Sequence, residues 1–259
     1  GGWGTQTAMV VSGGSHSSVV GATESWDGTS WSTEPGTLAT ARTVVSACGT
    51  ASTEGFTSGG YTGTANTNTS ERFNKSINVI TAAAWASGGN YPSNIYGAAG
   101  AGNTPAGLAF GGYNGSTGAT TSEYDGSSWT SGGGLPVGKR YLAGFGTQTA
   151  ALAAKGRASS GSPTDSNTSE EYDGSSWTAG GTASVRAILT AGSGTQTSGL
   201  VFGGNPSYLN STEEYDGSSW TTGGNLNTGR DNHSGSVGGT QTAALAFFGD
   251  DGSTPLTLN

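Results

Sequence analysis

The sequence predicts an all-β propeller of about six four-stranded blades, five from full repeats and one from a partial repeat. Three observations predict it. The string "GTQT" stands at Gly4, Gly146, Gly194 and Gly239, with degenerate copies "GTAS" at Gly49 and "GNTP" at Gly102, so that it recurs every 44–53 residues. A second string, "YDGSSW", alternates with it at Tyr124, Tyr172 and Tyr215, with a looser version at Trp26 and a worn copy at Phe73-Asn74 that lacks Asp-Gly. No segment has a helical pattern. Two landmarks that alternate belong to one unit, and its length of about 47 residues suits a propeller blade. Residues 1–259 are therefore one domain, with repeats starting near 4, 49, 102, 146, 194 and 239.

Within a unit each element has its own reason. A short apolar run ended by glycine comes first, as in "AGLAFGG" from Ala106, "AALAAKG" from Ala150 and "SGLVFGG" from Ser198. A variable loop follows. Then "TSEYDGSSWTSGG" reads as two strands joined at Asp-Gly, where positive φ angles favour a tight turn. A polar stretch with Pro or Gly and an Arg comes next, as in "LPVGKR". Last is a small-residue strand such as "YLAGF" or "AILTAG", fitted to the crowded axis of a ring. One blade cannot bury both faces of its sheet, whereas stacked blades bury each other's. The repeated Tyr and Trp are the bulky groups for that purpose, each worth roughly 1.5–3 kcal/mol when buried. Trp31, Trp129, Trp177 and Trp220 are expected at equivalent blade positions. The chain enters at the tail of an innermost strand, and Leu256–Asn259 is expected to close an incomplete sixth blade.

Composition narrows the function. Charge is low at 10%, while seven Trp, nine Tyr and seven Phe supply apolar surface, which argues for a folded chain. The net charge of −8 and the scattered Lys75, Lys139 and Lys155 exclude nucleic acid as a partner. No apolar stretch reaches the length of a membrane helix, so no membrane insertion is expected. No leader is visible and the chain lacks an initiator Met, so it reads as a processed or partial product. Cys48 is the one cysteine and has no internal disulfide partner.

The order of an apolar run ending in Gly-Gly, then Tyr, Trp and Arg before the next strand, resembles the kelch repeat over nearly the whole chain. That resemblance implies a kelch-like β-propeller. The chain departs from it at Lys155-Gly156 and Phe248-Gly249, which replace Gly-Gly, and in a stretched hairpin over Phe73–Trp85. The texture "GTQTAALAFGG…YDGSSWT" also resembles Gly/Ser/Thr-rich proteins of marine phages, including tail and fibre components. This implies a virion or extracellular location, with other virion proteins or a host-surface glycan or protein as partners.

Strand order places the "GTQT" and Asp-Gly turns on one face of the ring and the loops after Gly-Gly, with the Arg-containing connections, on the other. The first face is uniform and the second varies, and variable loops on a rigid scaffold are where recognition sits. The second face offers Tyr61, Tyr113, Asn114, Tyr208 and Asn210 as binding candidates, beside His16, Asn66, Asn68 and Asp165. Tyr and Asn suit sugars through stacking and amide hydrogen bonds, and they suit protein contacts as well. The competing expectation is that the "GTQT" face docks a symmetric partner through Thr147, Gln148, Thr195 and Gln196.

No catalytic constellation is legible, and the chain reads as a non-enzyme without cofactor or metal. "SEYDGSSW" has the wrong spacing for the sialidase Asp box. Arg42, Arg140, Arg186 and Arg230 read as one structural position per unit, bonding backbone carbonyls. His16 and His233 lie in different loops and do not make a transition-metal site. "GDDGST" and "SPTDSNT" miss the spacing of a calcium loop. The alternatives kept open are a carbohydrate-active enzyme on the same fold and a secreted bacterial adhesin.

Overall fold

A computed structural model describes residues 1–75, 84–158, 165–236 and 238–253. The chain is all-β, and five sheets are arranged in a ring as a β-propeller. The first blade comprises β1 (Gly2–Thr5), β2 (Ala8–Ser15), β3 (Val19–Trp26) and β4 (Trp31–Glu34). The second comprises β5 (Ser46–Ala51), β6 (Glu54–Ser58), β7 (Ser70–Asn74) and β8 (Ala84–Ser87). The third comprises β9 (Tyr96–Asn103), β10 (Ala106–Tyr113), β11 (Thr121–Tyr124) and β12 (Trp129–Ser131). Next along the chain is β13 (Lys139–Arg140), which pairs with β16 (Arg157–Ala158) across the fourth blade's rim. That blade comprises β14 (Ala143–Thr147), β15 (Ala150–Ala154), β17 (Thr168–Tyr172) and β18 (Trp177–Thr182). The fifth comprises β19 (Ala191–Thr195), β20 (Ser198–Phe202), β21 (Thr212–Tyr215) and β22 (Trp220–Thr222).

The expectation of about six four-stranded blades is corrected to five. Between the fifth and first blades the sixth repeat supplies, among the described residues, only a two-stranded sheet of β23 (Ser234–Gly235) and β24 (Ala246–Phe247). Strand β23 touches β19 on one side and β1 on the other, so this short sheet bridges the ring. The segment Leu256–Asn259, expected as a final strand, lies outside the described residues.

Two bends recur along the chain, the first in every repeat and the second wherever the Asp-Gly string is kept. The first residue of each Gly-Gly takes a left-handed φ near 60–70°, at Gly13, Gly59, Gly111 and Gly203, and Lys155 and Phe248 adopt the same angle at their departures from the motif. At Gly111 a side chain would press on the carbonyl of Lys139, 2.5 Å from where its Cβ would stand. At Lys155 the same bend carries a side chain, whose ammonium lies 2.6 Å from Glu213 in a buried ion pair. The second bend is the Asp-Gly turn, which has a different shape from the expected tight turn. Tyr124 pairs with Trp129, so four residues form the loop, and only the glycine, Gly126, has positive φ. The aspartate works through its side chain: Asp125 Oδ1 accepts the amides of Ser127 and Ser128 at 2.8 Å each, and Asp173 and Asp216 repeat this. Those amide bonds hold all three carboxyls below the usual carboxylate range, Asp173 down to about 2.

Trp31, Trp129, Trp177 and Trp220 each open an outermost strand, opposite Trp26, Tyr124, Tyr172 and Tyr215. Each aromatic pair leans on the preceding blade. Tyr172 and Trp177 pack on Leu108 and Phe110, and Tyr215 and Trp220 pack on Leu152 and Phe145. Tyr124 and Trp129 meet Phe56, while Trp26 and Trp31 meet Phe247. Gly192 is small for the same reason, since a Cβ there would fall 2.6 Å from the Phe145 ring.

Polar groups finish the seams. The Tyr172 hydroxyl donates to Glu123 at 2.5 Å and the Tyr215 hydroxyl to Glu171 at 2.6 Å, each into the blade before. The Trp177 indole donates to Thr121 Oγ1 and that of Trp220 to Ser169 Oγ, whereas Trp129 uses the Gly89 carbonyl. Gln148, Gln196 and Gln241 each reach back from the Gln-Thr turn to two backbone carbonyls of the preceding blade, one of them the carbonyl of its tyrosine.

Removing one aromatic wedge should therefore loosen the whole ring. Trp177→Ala is expected to cost roughly 3–5 kcal/mol in chemical denaturation. Burial first, and then the facing carboxylate, push the hydroxyls of Tyr172 and Tyr215 up to about 12 from their ordinary 10. The folded state thus holds these protons more tightly than the unfolded chain. Their contribution is complete below pH 10 and is lost as the pH rises towards 12. Unfolding free energies measured across that window should fall, and fall less steeply when both tyrosines are replaced by Phe.

Candidate functional site

The Asp-Gly turns sit beside the Gln-Thr turns, with Gly174 against Thr149 and Gly217 against Thr197. The Gly-Gly bends sit on the opposite side of each blade, against the connections that lead into the next blade, as Gly111 does against Lys139. The two faces assigned from strand order are therefore the two faces of the ring. On the uniform face the amides of Gln148 and Gln196 are spent between blades, leaving Thr147 and Thr195 exposed there.

The variable face surrounds the start of the innermost strands. A cavity of about 110 Å3 opens there on the axis, lined by the first residues of those strands, among them Ser46, Gly144, Thr190 and His233. Thr190 Oγ1 and His233 Nδ1 are buried without a partner. The other ring nitrogen of His233 is 3.1 Å from the Phe202 carbonyl. Burial, with Arg230 adding to it, brings the His233 imidazole down to about 4, so it is neutral at ordinary pH.

The five sequence candidates are spread over three blades. Tyr61 is 38% exposed on the second blade, with its hydroxyl donating to the Gly63 carbonyl at 2.9 Å. Tyr208 is 37% exposed on the fifth blade, its ring lying over Gly252, and Asn210 is exposed two residues on. Tyr113 and Asn114 sit together at the end of β10, where Tyr113 bridges to Thr117 and Asn114 is exposed.

Only Tyr113 is part of a larger constellation, and sequence reasoning missed its other members. Tyr96 opens β9 and its ring lies 5.4 Å from that of Tyr113; Tyr141 lies 6.0 Å from Tyr96. The Arg140 guanidinium stands over both Tyr113, at 4.6 Å, and Tyr141, at 5.4 Å. Beside them Arg157 donates to Asp165 at 2.8 Å. Burial and a hydrogen bond with Tyr96 raise the Tyr141 hydroxyl, with Arg140 and Arg157 pulling the other way. The result is three half-buried aromatic faces around a cation at the seam of the third and fourth blades. A signal was present in "NIYGAAG" and "KRYLAG", which put a tyrosine at the entry to consecutive innermost strands.

The four arginines do not hold one structural position. Counted to the left-handed residue before the innermost strand (Val44, Tyr141, Leu189 or Asn232), Arg42 and Arg230 stand two residues ahead, Arg140 one and Arg186 three. Arg42 is fully buried, 2.6 Å from Glu71, and Lys139 takes its place beside Glu170 in the fourth blade. Arg186 and Arg230 do bond backbone carbonyls, of Asp165 and Phe248. Arg140 alone is turned to the aromatic cluster.

No protein-family model matches the chain, and no curated protein does. Among the described residues no three His, Cys, Asp or Glu side chains are grouped to hold a metal ion. Cys48 is buried against Phe56 and Tyr124, and burial pushes its thiol up to about 12.

Proposed function

We propose that this protein is a non-enzymatic binding or structural module built as a kelch-like propeller, a component of a phage particle that contacts a host-surface glycan or another virion protein. The reading places it in a virion or outside the cell. The observation that carries it is the Tyr96–Tyr113–Tyr141 cluster around Arg140 on the variable face. Aromatic rings at a seam offer faces to the C–H surface of a sugar, and an arginine between them offers donors to hydroxyl or carboxylate oxygens. A ring whose blades are tied by hydrogen-bonded side chains holds such a cluster in place before any ligand arrives, which lowers the cost of binding. The marine-phage resemblance of the repeat texture supplies the particle; the site supplies only the chemistry.

An array of surface glycans and envelope extracts, probed with the purified protein, tests this. Binding without turnover is expected. Tyr113→Ala should weaken it by ~1–2 kcal/mol while leaving the unfolding transition unchanged, and Tyr208→Ala does the same only if the fifth blade takes part. Turnover of a labelled glycan would move the protein to the carbohydrate-active enzymes. Binding that survives Tyr113→Ala but is lost when Thr147 and Thr195 are substituted would transfer recognition to the uniform face.

A further inference from the structure

The charges around the Tyr96–Tyr113–Tyr141 cluster do not balance. The chain carries 17 acidic and nine basic side chains, and every Asp and Glu stands among the described residues. Most of the cations are matched. Arg42, Lys75, Lys139 and Lys155 each meet a glutamate, and Arg230 bonds the Phe248 carbonyl. Arg140 is half-buried, and its Nε is buried without a hydrogen-bond partner. No carboxylate among the described residues pairs with it; the rings of Tyr113 and Tyr141 are what its guanidinium faces.

Two more arginines stand beside it. Strands β13 and β16 run antiparallel with Arg140 directly opposite Arg157, a register that puts two like charges on one face and is destabilising in itself. Arg157 Nε donates to Asp165 Oδ1 at 2.8 Å. Arg186, which is exposed, reaches the same aspartate and donates to its backbone carbonyl at 3.1 Å. Lys139 does not add to the group, because its ammonium is bonded to both Glu170 oxygens, at 2.7 and 2.8 Å. Three guanidiniums therefore surround one carboxylate, a local surplus of two positive charges on a chain whose net charge is −8. The Tyr141 hydroxyl registers them: burial raises it, and Arg140 and Arg157 both act against that rise.

We infer that this cluster takes an acidic sugar, a pyranose bearing a carboxylate or sulfate group, with the anionic oxygens on Arg140 and the ring face on the tyrosines. The inference deepens the proposed glycan contact and rests on it. A neutral sugar laid over the tyrosines would cover Arg140 and leave a desolvated charge unmatched, which is costly. An anionic group removes that cost and relieves the opposition of Arg140 to Arg157. The guanidinium fork gives two parallel donors to a carboxylate or sulfate, and the rings beside it hold it in place before the ligand arrives. An acidic peptide would satisfy the arginines but brings no sugar ring for the tyrosine faces.

Four probes test this in two matched pairs: a tetrasaccharide of galacturonic acid against its methyl ester, and a galactose tetrasaccharide with and without sulfate. Each is titrated calorimetrically into the 259-residue protein at neutral pH and low salt. In at least one pair the acidic form should bind roughly tenfold more tightly than the neutral one, and the pair with the larger ratio distinguishes carboxylate from sulfate. The preference should shrink as salt is raised. Arg140→Gln should bring the ratio to about one, and Arg140→Lys should restore only part of it, since an ammonium lacks the fork. Arg186→Gln, at an exposed residue, should lower the ratio roughly threefold, a readout that remains if Arg140→Gln does not fold. Equal binding of acidic and neutral forms overturns the inference and leaves the glycan contact standing. Absence of binding by both acidic probes overturns it, and a blank glycan array besides would remove the glycan contact as well. An acid preference that survives both Arg140→Gln and Arg186→Gln overturns it. Polyglutamate bound as tightly as the acidic sugars overturns it in favour of an acidic peptide.

Discussion

Everything in this ring depends on how one blade closes on the one before it. A single four-stranded blade has no core of its own, because the chain's seven Trp, nine Tyr and seven Phe are spread over the repeats. Its core is the seam, where an aromatic pair wedges against small and apolar residues of the neighbour. The polar atoms that come with those aromatics would be costly to bury unmatched. The repeat meets that cost with matched acceptors at fixed offsets, and the Gln-Thr turn adds an amide that holds the tyrosine's own carbonyl. The two repeated strings of the sequence are thus two halves of one joint. Where a half is missing, its partner shows it: the Tyr124 hydroxyl is buried without a partner, facing a second blade in which Arg72 stands where a glutamate would accept it.

This joint explains why the architecture was legible in the sequence. The period, the four strands per unit and the equivalent tryptophans follow from strings that repeat because each seam makes the same demands. The number of complete blades was less legible, because the sixth repeat has the "GTQT" and "AALAFFG" strings but stops before a Tyr–Trp hairpin. The shape of the Asp-Gly turn was misread because the dipeptide alone suggests a two-residue loop, whereas the serines that follow are held by the aspartate side chain. The arginines looked equivalent by spacing, yet counted to the left-handed residue beside them they fall into three registers, shared only by Arg42 and Arg230. That register turns Arg42 inward to Glu71 and Arg140 outward to the tyrosines. Tyr96 and Tyr141 were hidden by their position in strands that otherwise read as filler.

The same joint separates the two faces. The uniform face carries the turns that tie blades together, and its glutamine amides point sideways into the seams. The variable face is free of that duty, so its loops differ in length and content while the bends at Gly111 and its counterparts keep their roots fixed. Aromatic residues can therefore be half-exposed there, around Arg140, without loosening the ring. Stability is concentrated between blades and recognition chemistry at the rim.

The central claim is that the tyrosine hydroxyl and the glutamate of the preceding blade act as one unit. A double-mutant cycle on Tyr172 and Glu123 tests it most directly, with Tyr172→Phe, Glu123→Ala and the pair compared by chemical denaturation at neutral pH. A coupling energy of about 1–2 kcal/mol is expected for a hydrogen bond to a charged acceptor at a partly buried seam. Strict additivity of the two substitutions would contradict the account, because the seam would then be held by aromatic packing alone.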